Sequence, residues 1–381
     1  MSYFSVPFYL VMLNKVLPYD VYVNSSAIEA KEHFVKIFKA GGILNQEDIN
    51  IFKLKYRQIY IPENQRNLYL ASLVGSNNVD DTKKTEIIKD SAITHLNKLF
   101  DAKADFNTEM LVNTIKSCKE TVSSMVEVLK DYSINDLQHL ISKLSFHDFY
   151  TFDHSVNVGM YSIGLLKAVN PESSNDELTI AGLGGLLHDL GKMKISTELI
   201  NKPGKLTPEE FEMIKKHPEF GLDLLGSSAA ECKGINLHAI SRVVFEHHEN
   251  YNGTGYPQKL QGENIYLLAR ITAIADFFDA ITTQRSYHEV LKTDEAIPVM
   301  AKTKGIKIDP KLFEIFTQSL QQFTLTGKMN IELPSDFDPC QPQHVLPFTP
   351  VTKKVETKDY GKIKLVEEII ANNKDKEKKS A

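Results

Sequence analysis

His188-Asp189-Leu190-Gly191-Lys192 is the stretch on which the reading of this chain turns. Ser174 and Glu177, three residues apart, form a capping box that starts a helix, and that helix runs out at His188-Asp189. An imidazole and a carboxylate therefore stand side by side at a helix end, where one can ligate a cation and the other can bridge to a second. The dipeptide alone is too common to carry meaning. Its weight comes from its companions further along the chain: His217-Pro218, the run His247-His248-Glu249, and the pair Asp276 and Asp279. Upstream, His154 lies on a helix of its own. Seven of the 12 histidines fall between 154 and 288, and such a concentration, with two carboxylates, is what a two-metal hydrolytic centre needs.

Each candidate lies on, or at the end of, a separate predicted helix. Thr207, Pro208 and Glu210 start one, with proline at the first helical position, and it is expected to run up to His217. Ile235 to His248 and Leu267 to Tyr287 form two more. Neighbours on a helix point about 100° apart, so His247 and His248 can both ligate only at a frayed end or from two sides of one cation. Asn250-Tyr251-Asn252-Gly253 ends the helix there. Asp276 and Asp279 share a helix face beside apolar Ile274, Phe277 and Phe278, where carboxylates are expensive unless metals or cations pair with them. The expected fold class is mainly α, with the site inside a helical bundle.

Residues 1–74 read differently. Asp20-Val21-Tyr22-Val23 and Gln58-Ile59-Tyr60-Ile61 are β-rich runs bounded by turn residues, and Asn45 with Asp48 starts a helix. This is a small α+β unit of regulatory size. Residues 75–84 are polar and start with glycine, a linker candidate, and 85–147 form a helical connecting region. Leu111, Ile115, Cys118, Val122, Met125 and Leu129 make one apolar stripe, which suits a core-facing helix or a dimer seam. Residues 324–381 form a tail, extended where Pro334, Pro339, Pro342, Pro347 and Pro350 cluster and disordered in the lysine-rich end.

Composition bounds the rest. The chain has 381 residues, is 42% hydrophobic and carries a formal net charge of -5, which argues against broad nucleic-acid binding while leaving room for a local phosphate pocket. Its three cysteines, Cys118, Cys232 and Cys340, are far apart with no CxxC spacing, so neither a disulfide framework nor a zinc-thiolate site is expected. No apolar run reaches the length of a membrane span, and Met1 to Val16 lacks the basic start and cleavage site of a secretion signal. The expected location is cytoplasmic.

His188-Asp189-Leu190-Gly191-Lys192 together with Gly255-Tyr256-Pro257 resembles the HD-GYP family of cyclic di-GMP phosphodiesterases, bacterial members of the HD superfamily of metal-dependent phosphohydrolases. Tyr150-Thr151 before His154-Ser155-Val156-Asn157-Val158, and Lys202-Pro203-Gly204-Lys205-Leu206-Thr207, extend the likeness over residues 148–323. The resemblance implies an HD-type helical bundle as catalytic domain. It implies that His154, His188, Asp189 and Asp276 hold one metal and that His217, His247 and His248 hold a second, with Asp189 bridging. Lys192 matches the lysine on the attacking hydroxide or the phosphate. Asp279, Arg285 and Tyr256 match positions facing the cyclic dinucleotide. Two divalent ions are implied, iron first and manganese next. Tyr150 stands where members with a third metal carry glutamate, and Asp148 and Asp153 are read as surface residues.

The chain departs from the family pattern at Arg285-Ser286-Tyr287-His288, where a lysine or arginine usually stands in place of His288. A histidine at that phosphate-contact position is only partly charged at neutral pH. Three functional readings are open: hydrolysis of cyclic di-GMP to pGpG and onward to GMP, hydrolysis of another ring such as cyclic GMP-AMP, or a catalytically weak adaptor that binds the dinucleotide or a diguanylate cyclase. A homodimer is compatible with any of them. The first 74 residues weakly resemble small domains that precede other catalytic domains of the family.

Overall fold

The structure, a computed structural model, describes residues 2–26, 32–100, 106–144, 150–200, 202, 206–283 and 291–320, without the side chains of Tyr150 and Thr151. The chain divides into two compact units, Met1–Ile88 and Lys89–Ala381.

In the first unit, β1 (Tyr3–Val6), β2 (Val21–Asn24), β3 (Phe34–Phe38) and β4 (Ile59–Pro62) form a four-stranded sheet in the order β1-β4-β2-β3. All pairings are antiparallel, with Tyr3 opposite Pro62, Tyr22 opposite Tyr60 and Asn24 opposite Phe34. β2 and β4 fall on the two β-rich runs of the sequence. β1 and β3 had no such signal, because β3 leaves Val35 and Lys36 exposed and shows no clean alternation. Helix α1 (Gln46–Lys53) begins with the Asn45–Asp48 capping box, and α2 (Arg66–Val74) follows β4. The polar run at 75–84 is a linker only in part. Asp80 Oδ1 accepts from the Lys83 amide at 2.9 Å, a capping contact, and α3 (Asp81–Leu99) starts there and passes through the boundary between the units.

The second unit is helical among its described residues. Its elements are α4 (Thr108–Leu129), α5 (Ile134–Leu144), α6 (Tyr150–Val169), α7 (Asn175–Leu187), α8 (Thr197–Ile200), α9 (Pro208–Ile214), α10 (His217–Ser228), α11 (Leu237–Glu246), α12 (Leu267–Thr282), α13 (Thr293–Ala301) and α14 (Pro310–Ser319). Leu190–Lys194 is a 3-10 turn between α7 and α8. The Ser174–Glu177 and Thr207–Glu210 capping boxes both form. The helix begun at Thr207 stops at Ile214, so His217 opens a new helix instead of ending the old one. α11 is shorter at both ends than the expected Ile235–His248, because the Asn236 side chain caps it and His247 already stands at its C-cap.

α7 lies at the centre, packed on α6, α4, α11 and α12. A methyl group at Gly159 of α6 would stand 2.9 Å from the Gly182 carbonyl oxygen, and one at Gly185 of α7 would stand 3.0 Å from the Gly159 nitrogen. These two helices therefore touch backbone to backbone, and that closeness brings His154 and His188 within reach of each other. The α4 stripe from Leu111 to Leu129 is buried inside the unit, resolving the core-or-seam alternative toward the core. Tyr161, Phe278 and Phe316 meet edge to face on the far side, with centroids 5.3 and 5.0 Å apart, an arrangement aromatic quadrupoles favour. Cys118 and Cys232 are free, buried thiols. Among the described residues no helix is long and apolar enough to cross a membrane. Residues 324–381, including Cys340, lie outside the described residues.

Candidate metal centre

The ligand-type histidines sit at helix ends, and the backbone there explains their aim. The last carbonyls of a helix have no intrahelical donor. His188, C-cap of α7, turns its ring back so that Nδ1 donates to the Gly185 carbonyl at 2.7 Å. His247, C-cap of α11, donates likewise to Val244 at 2.9 Å, and His217 donates to Ile214 at 2.8 Å across the α9–α10 break. In each ring the Nδ1 proton is thereby fixed and the Nε2 lone pair faces inward. His154, in the second turn of α6, has no loose helix-end carbonyl to use. Its Nδ1 donates instead to Asp279 Oδ2 at 2.7 Å, and its Nε2 lies 3.0 Å from Asp276 Oδ1.

Asp189 stands where these nitrogens converge. Its Oδ2 is 3.3 Å from His188 Nε2, and its Oδ1 is 3.3 Å from His217 Nε2 and 4.0 Å from His247 Nε2. Two groups of possible ligand atoms result. Asp189, His217, His247 and His248 form one, and His154, His188 and Asp189 form the other, with Asp189 shared. Asp276 borders the second, 4.0 Å from His188 Nε2. Gly191 makes room for this convergence, since a methyl group there would lie 1.8 Å from the His217 carbonyl oxygen.

Taken without a cation, the cluster is unsatisfied. His217 Nε2 and His247 Nε2 face each other at 3.2 Å, although both rings carry their proton on Nδ1. His188 Nε2, Asp189 Oδ1 and His248 Nε2 are buried without a hydrogen-bond partner. Buried polar atoms left in this state cost about 1–3 kcal/mol each, and a cation among them removes that cost. Burial pushes His217 down to about 3 and His247 down to about 4, with the Lys192 charge adding to the effect at His217 and the His188 charge at His247. Burial also holds His248 well below its ordinary range. These rings are neutral and ready to ligate near pH 7. At His188, burial is outweighed by the neighbouring Asp189 carboxylate, and the pKa rises. Asp189 and Asp276 both stay ionised: burial, which opposes ionisation, is overcome at Asp189 by the His188 and Lys192 charges and at Asp276 by the His154 hydrogen bond. The donors are all imidazole nitrogen and carboxylate oxygen, which suits iron, manganese or zinc. The residues therefore fit divalent metal binding.

The remaining expected site residues border the cluster or lie outside the described residues. Lys192 Nζ lies 2.6 Å from Asp189 Oδ2, at the edge of the cluster. The Tyr256 ring stacks on His248, with centroids 4.8 Å apart. Asp279 lies on the far side of the His154 ring. It is 0% exposed, and its oxygens accept from His154, Asn157 Nδ2 at 2.9 Å and Thr283 Oγ1 at 2.7 Å, so it orients the imidazole from behind. Asp153 is buried and paired with Lys89 at 3.1 Å, not at the surface. Arg285 and His288, with Ser286 and Tyr287, lie outside the described residues, as does Asp148.

Sequence reasoning gave no role to Glu249, which comes directly after the histidine doublet. It is buried, and its carboxylate accepts from the Gln258 amide at 2.6 Å and the Leu260 amide at 3.0 Å. The loop bearing Tyr256 is thus tied back to the residue next to two ligands. The signal was its adjacency to His248. Lys89 was also missed, although it falls on the apolar stripe continued by Ala92, Leu96 and Leu99, and Asn157 stands in the His154 motif with no role given to it.

Residues 157–312 match the family model described as "HD domain". A cyclic di-GMP phosphodiesterase of Pseudomonas aeruginosa is 36% identical over 54% of this chain and 49% of its own length. A 3'3'-cGAMP-specific phosphodiesterase of Vibrio cholerae is 36% identical over 36% of this chain and 26% of its own. The chain spans about half or less of the length of these curated relatives. Among solved structures, an HDG"Y"P protein of Bdellovibrio bacteriovorus is 19% identical, covers 84% of this chain and all of its own, and gives a TM-score of 0.49.

Proposed function

We propose that this chain, whose residues 157–312 match the HD domain model and which is similar to curated cyclic di-GMP phosphodiesterases, is a metal-dependent phosphodiesterase of the HD-GYP type that hydrolyses cyclic di-GMP to linear pGpG. The observation that carries the proposal is the pair of ligand groups sharing Asp189. One half-buried carboxylate common to two sets of imidazoles suits two divalent ions held close together. His154, His188, Asp189 and Asp276 would hold one ion, and Asp189, His217, His247 and His248 the other. Iron or manganese suits this donor set.

Such ions, when bound, supply Lewis acidity toward the phosphoryl oxygens and a water-derived nucleophile at neutral pH. The chain's own residues do the rest. His217 and His247 are neutral, so they take up cations without first losing a proton. Asp189 and Asp276 bring the negative charge that balances them. Lys192 places an ammonium beside Asp189, where it offsets charge developing on the phosphoryl oxygens. Tyr256 lays a flat ring over His248 at the edge of the cluster, a surface on which a base can stack. Water adds to phosphorus, one bridging P–O bond breaks, and the proton goes to the departing ribose 3′ oxygen. No protein nucleophile takes part.

Cyclic GMP-AMP is the second reading, favoured by the 36% identity to a relative named as specific for it. The adaptor reading rests on Ser286 and His288, which lie outside the described residues. The buried thiols Cys118 and Cys232 suit a cytoplasmic, reducing setting. The test is product chromatography of metal-loaded protein with cyclic di-GMP, cyclic di-AMP and cyclic GMP-AMP in parallel. Conversion of cyclic di-GMP to pGpG is expected. Preference for the mixed ring would move the assignment to the second reading, and no turnover of any ring with both ions bound would remove it.

A further inference from the structure

We propose that Lys89 is a positioning residue for the metal centre: through Asn157 and Asp279 it sets the orientation of His154, and with it the affinity of the His154, His188 and Asp189 group for its cation. The inference rests on the metal-centre reading above and concerns residues that reading does not use.

Lys89 lies on α3 and is only 3% exposed. Burying an ammonium costs several kcal/mol unless partners compensate it. Two partners do: Asp153 Oδ1 at 3.1 Å and Asn157 Oδ1 at 3.1 Å. An ammonium is a donor only, so Asn157 must turn its carbonyl oxygen toward Lys89 and its NH2 the other way. That NH2 donates to Asp279 Oδ1, which Thr283 Oγ1 also approaches. With Oδ1 doubly occupied, Asp279 Oδ2 is left to accept the His154 Nδ1 proton. The His154 tautomer is then settled, and its Nε2 points at Asp276 and the cluster. Asn157 and Asp279 are both fully buried, so water cannot substitute for a lost link without entering the core.

Asp153 shows why the ammonium matters. It lies one helical turn before Asn157 on α6, on the same face. With Lys89 in place the carboxylate is neutralised. Without it, a buried anion competes with Asp279 for the Asn157 NH2, and the support behind His154 loosens. Partners standing behind a ligating histidine are typically worth 10–100-fold in metal affinity.

The experiment compares wild type, Lys89→Met and Asn157→Leu, each full length and stripped of metal, titrated with cobalt(II) and followed by visible absorption and metal content. Apo melting temperature in chelator is measured alongside. Wild type should take up two ions. Lys89→Met should weaken one binding step by about 10-fold or more and leave the other unchanged. Asn157→Leu keeps the Lys89–Asp153 pair yet cuts the link to Asp279, so it should weaken the same step, and it decides the matter if Lys89→Met does not fold. A folded variant of either kind that binds both ions with wild-type affinity overturns the proposal. So does equal weakening of both steps together with a lowered apo melting temperature, which would mark a general structural loss. Failure of wild type to take up a second ion would show before any variant is compared, and would remove the two-metal reading and the relay with it.

Discussion

Replacing Asp189 by alanine should strip the protein of both ions at once, and the structure gives the size of the loss. Its two oxygens lie between 3.3 and 4.0 Å from the Nε2 atoms of His188, His217 and His247, so a cation among those nitrogens sits within about 4 Å of the carboxylate. At an effective dielectric of about 20, unit charges at about 4 Å interact by about 4 kcal/mol, which makes roughly 8 kcal/mol for a divalent ion. Water entering the vacated position returns part of this. If it returns half, about 4 kcal/mol remains, or about a thousandfold in Kd for each ion. Alanine is preferable to asparagine, whose side-chain oxygen can still ligate. His154→Ala is the contrast, because it removes a neutral ligand from one group only and should weaken one ion. Manganese titration by calorimetry, with metal analysis after gel filtration, reads both variants. If Asp189→Ala keeps one ion at wild-type affinity, the carboxylate belongs to a single site and the shared-ligand argument fails.

The same geometry sets three other outcomes. Lys192→Ala should retain both ions while kcat falls about 100-fold, the usual scale for losing one charge-stabilising donor; loss of metal would place the lysine in the wrong role. Metal-free protein should lose stability as pH falls from about 6.5 toward 4. His217 and His247 have folded pKa values of about 3 and about 4 against 6.5 when unfolded, so in that window the unfolded chain binds more protons and acid favours it. His188 is raised and acts in the opposite sense: its contribution is full below 6.5 and is lost as pH rises through its folded pKa. Urea midpoints in chelator at pH 7, 5.5 and 4.5 measure the balance, and a flat profile would contradict the burial of neutral imidazoles. Glu249→Gln turns one acceptor of the Gln258 and Leu260 amides into a donor, so KM should rise several-fold with metal content unchanged, roughly the effect of about 1 kcal/mol; an unaltered KM would show that the Tyr256 loop does not depend on that tie.

Much of the centre was legible before any coordinates. His188-Asp189, His217, His247-His248 and Asp276 are ligand types the sequence singles out, and the capping boxes it shows at Ser174 and Thr207 do start α7 and α9. The buried α4 stripe was equally readable, because a 3.6-residue period records a face. Asp279 shows what a shared helix face leaves open. Three residues from Asp276 and one turn along the same helix, it shares the face that looks toward α6, and only the nearness of α6 tells a ligand from the carboxylate that steadies a ligand's far nitrogen. Asp153 and Lys89 were invisible in the same way. Asp153 reads as an ordinary surface charge and Lys89 as a lone cation on an apolar stripe, and what makes them a buried pair is the approach of α3 to α6, set by contacts remote in sequence. The sequence by itself thus marked the candidate ligands and several helix starts, since capping and periodicity act over a few residues. Which imidazole nitrogen faces inward, which carboxylate is shared and which charges stand behind the ligands were decided only by the tertiary structure, because those depend on distances between helices that no local rule encodes.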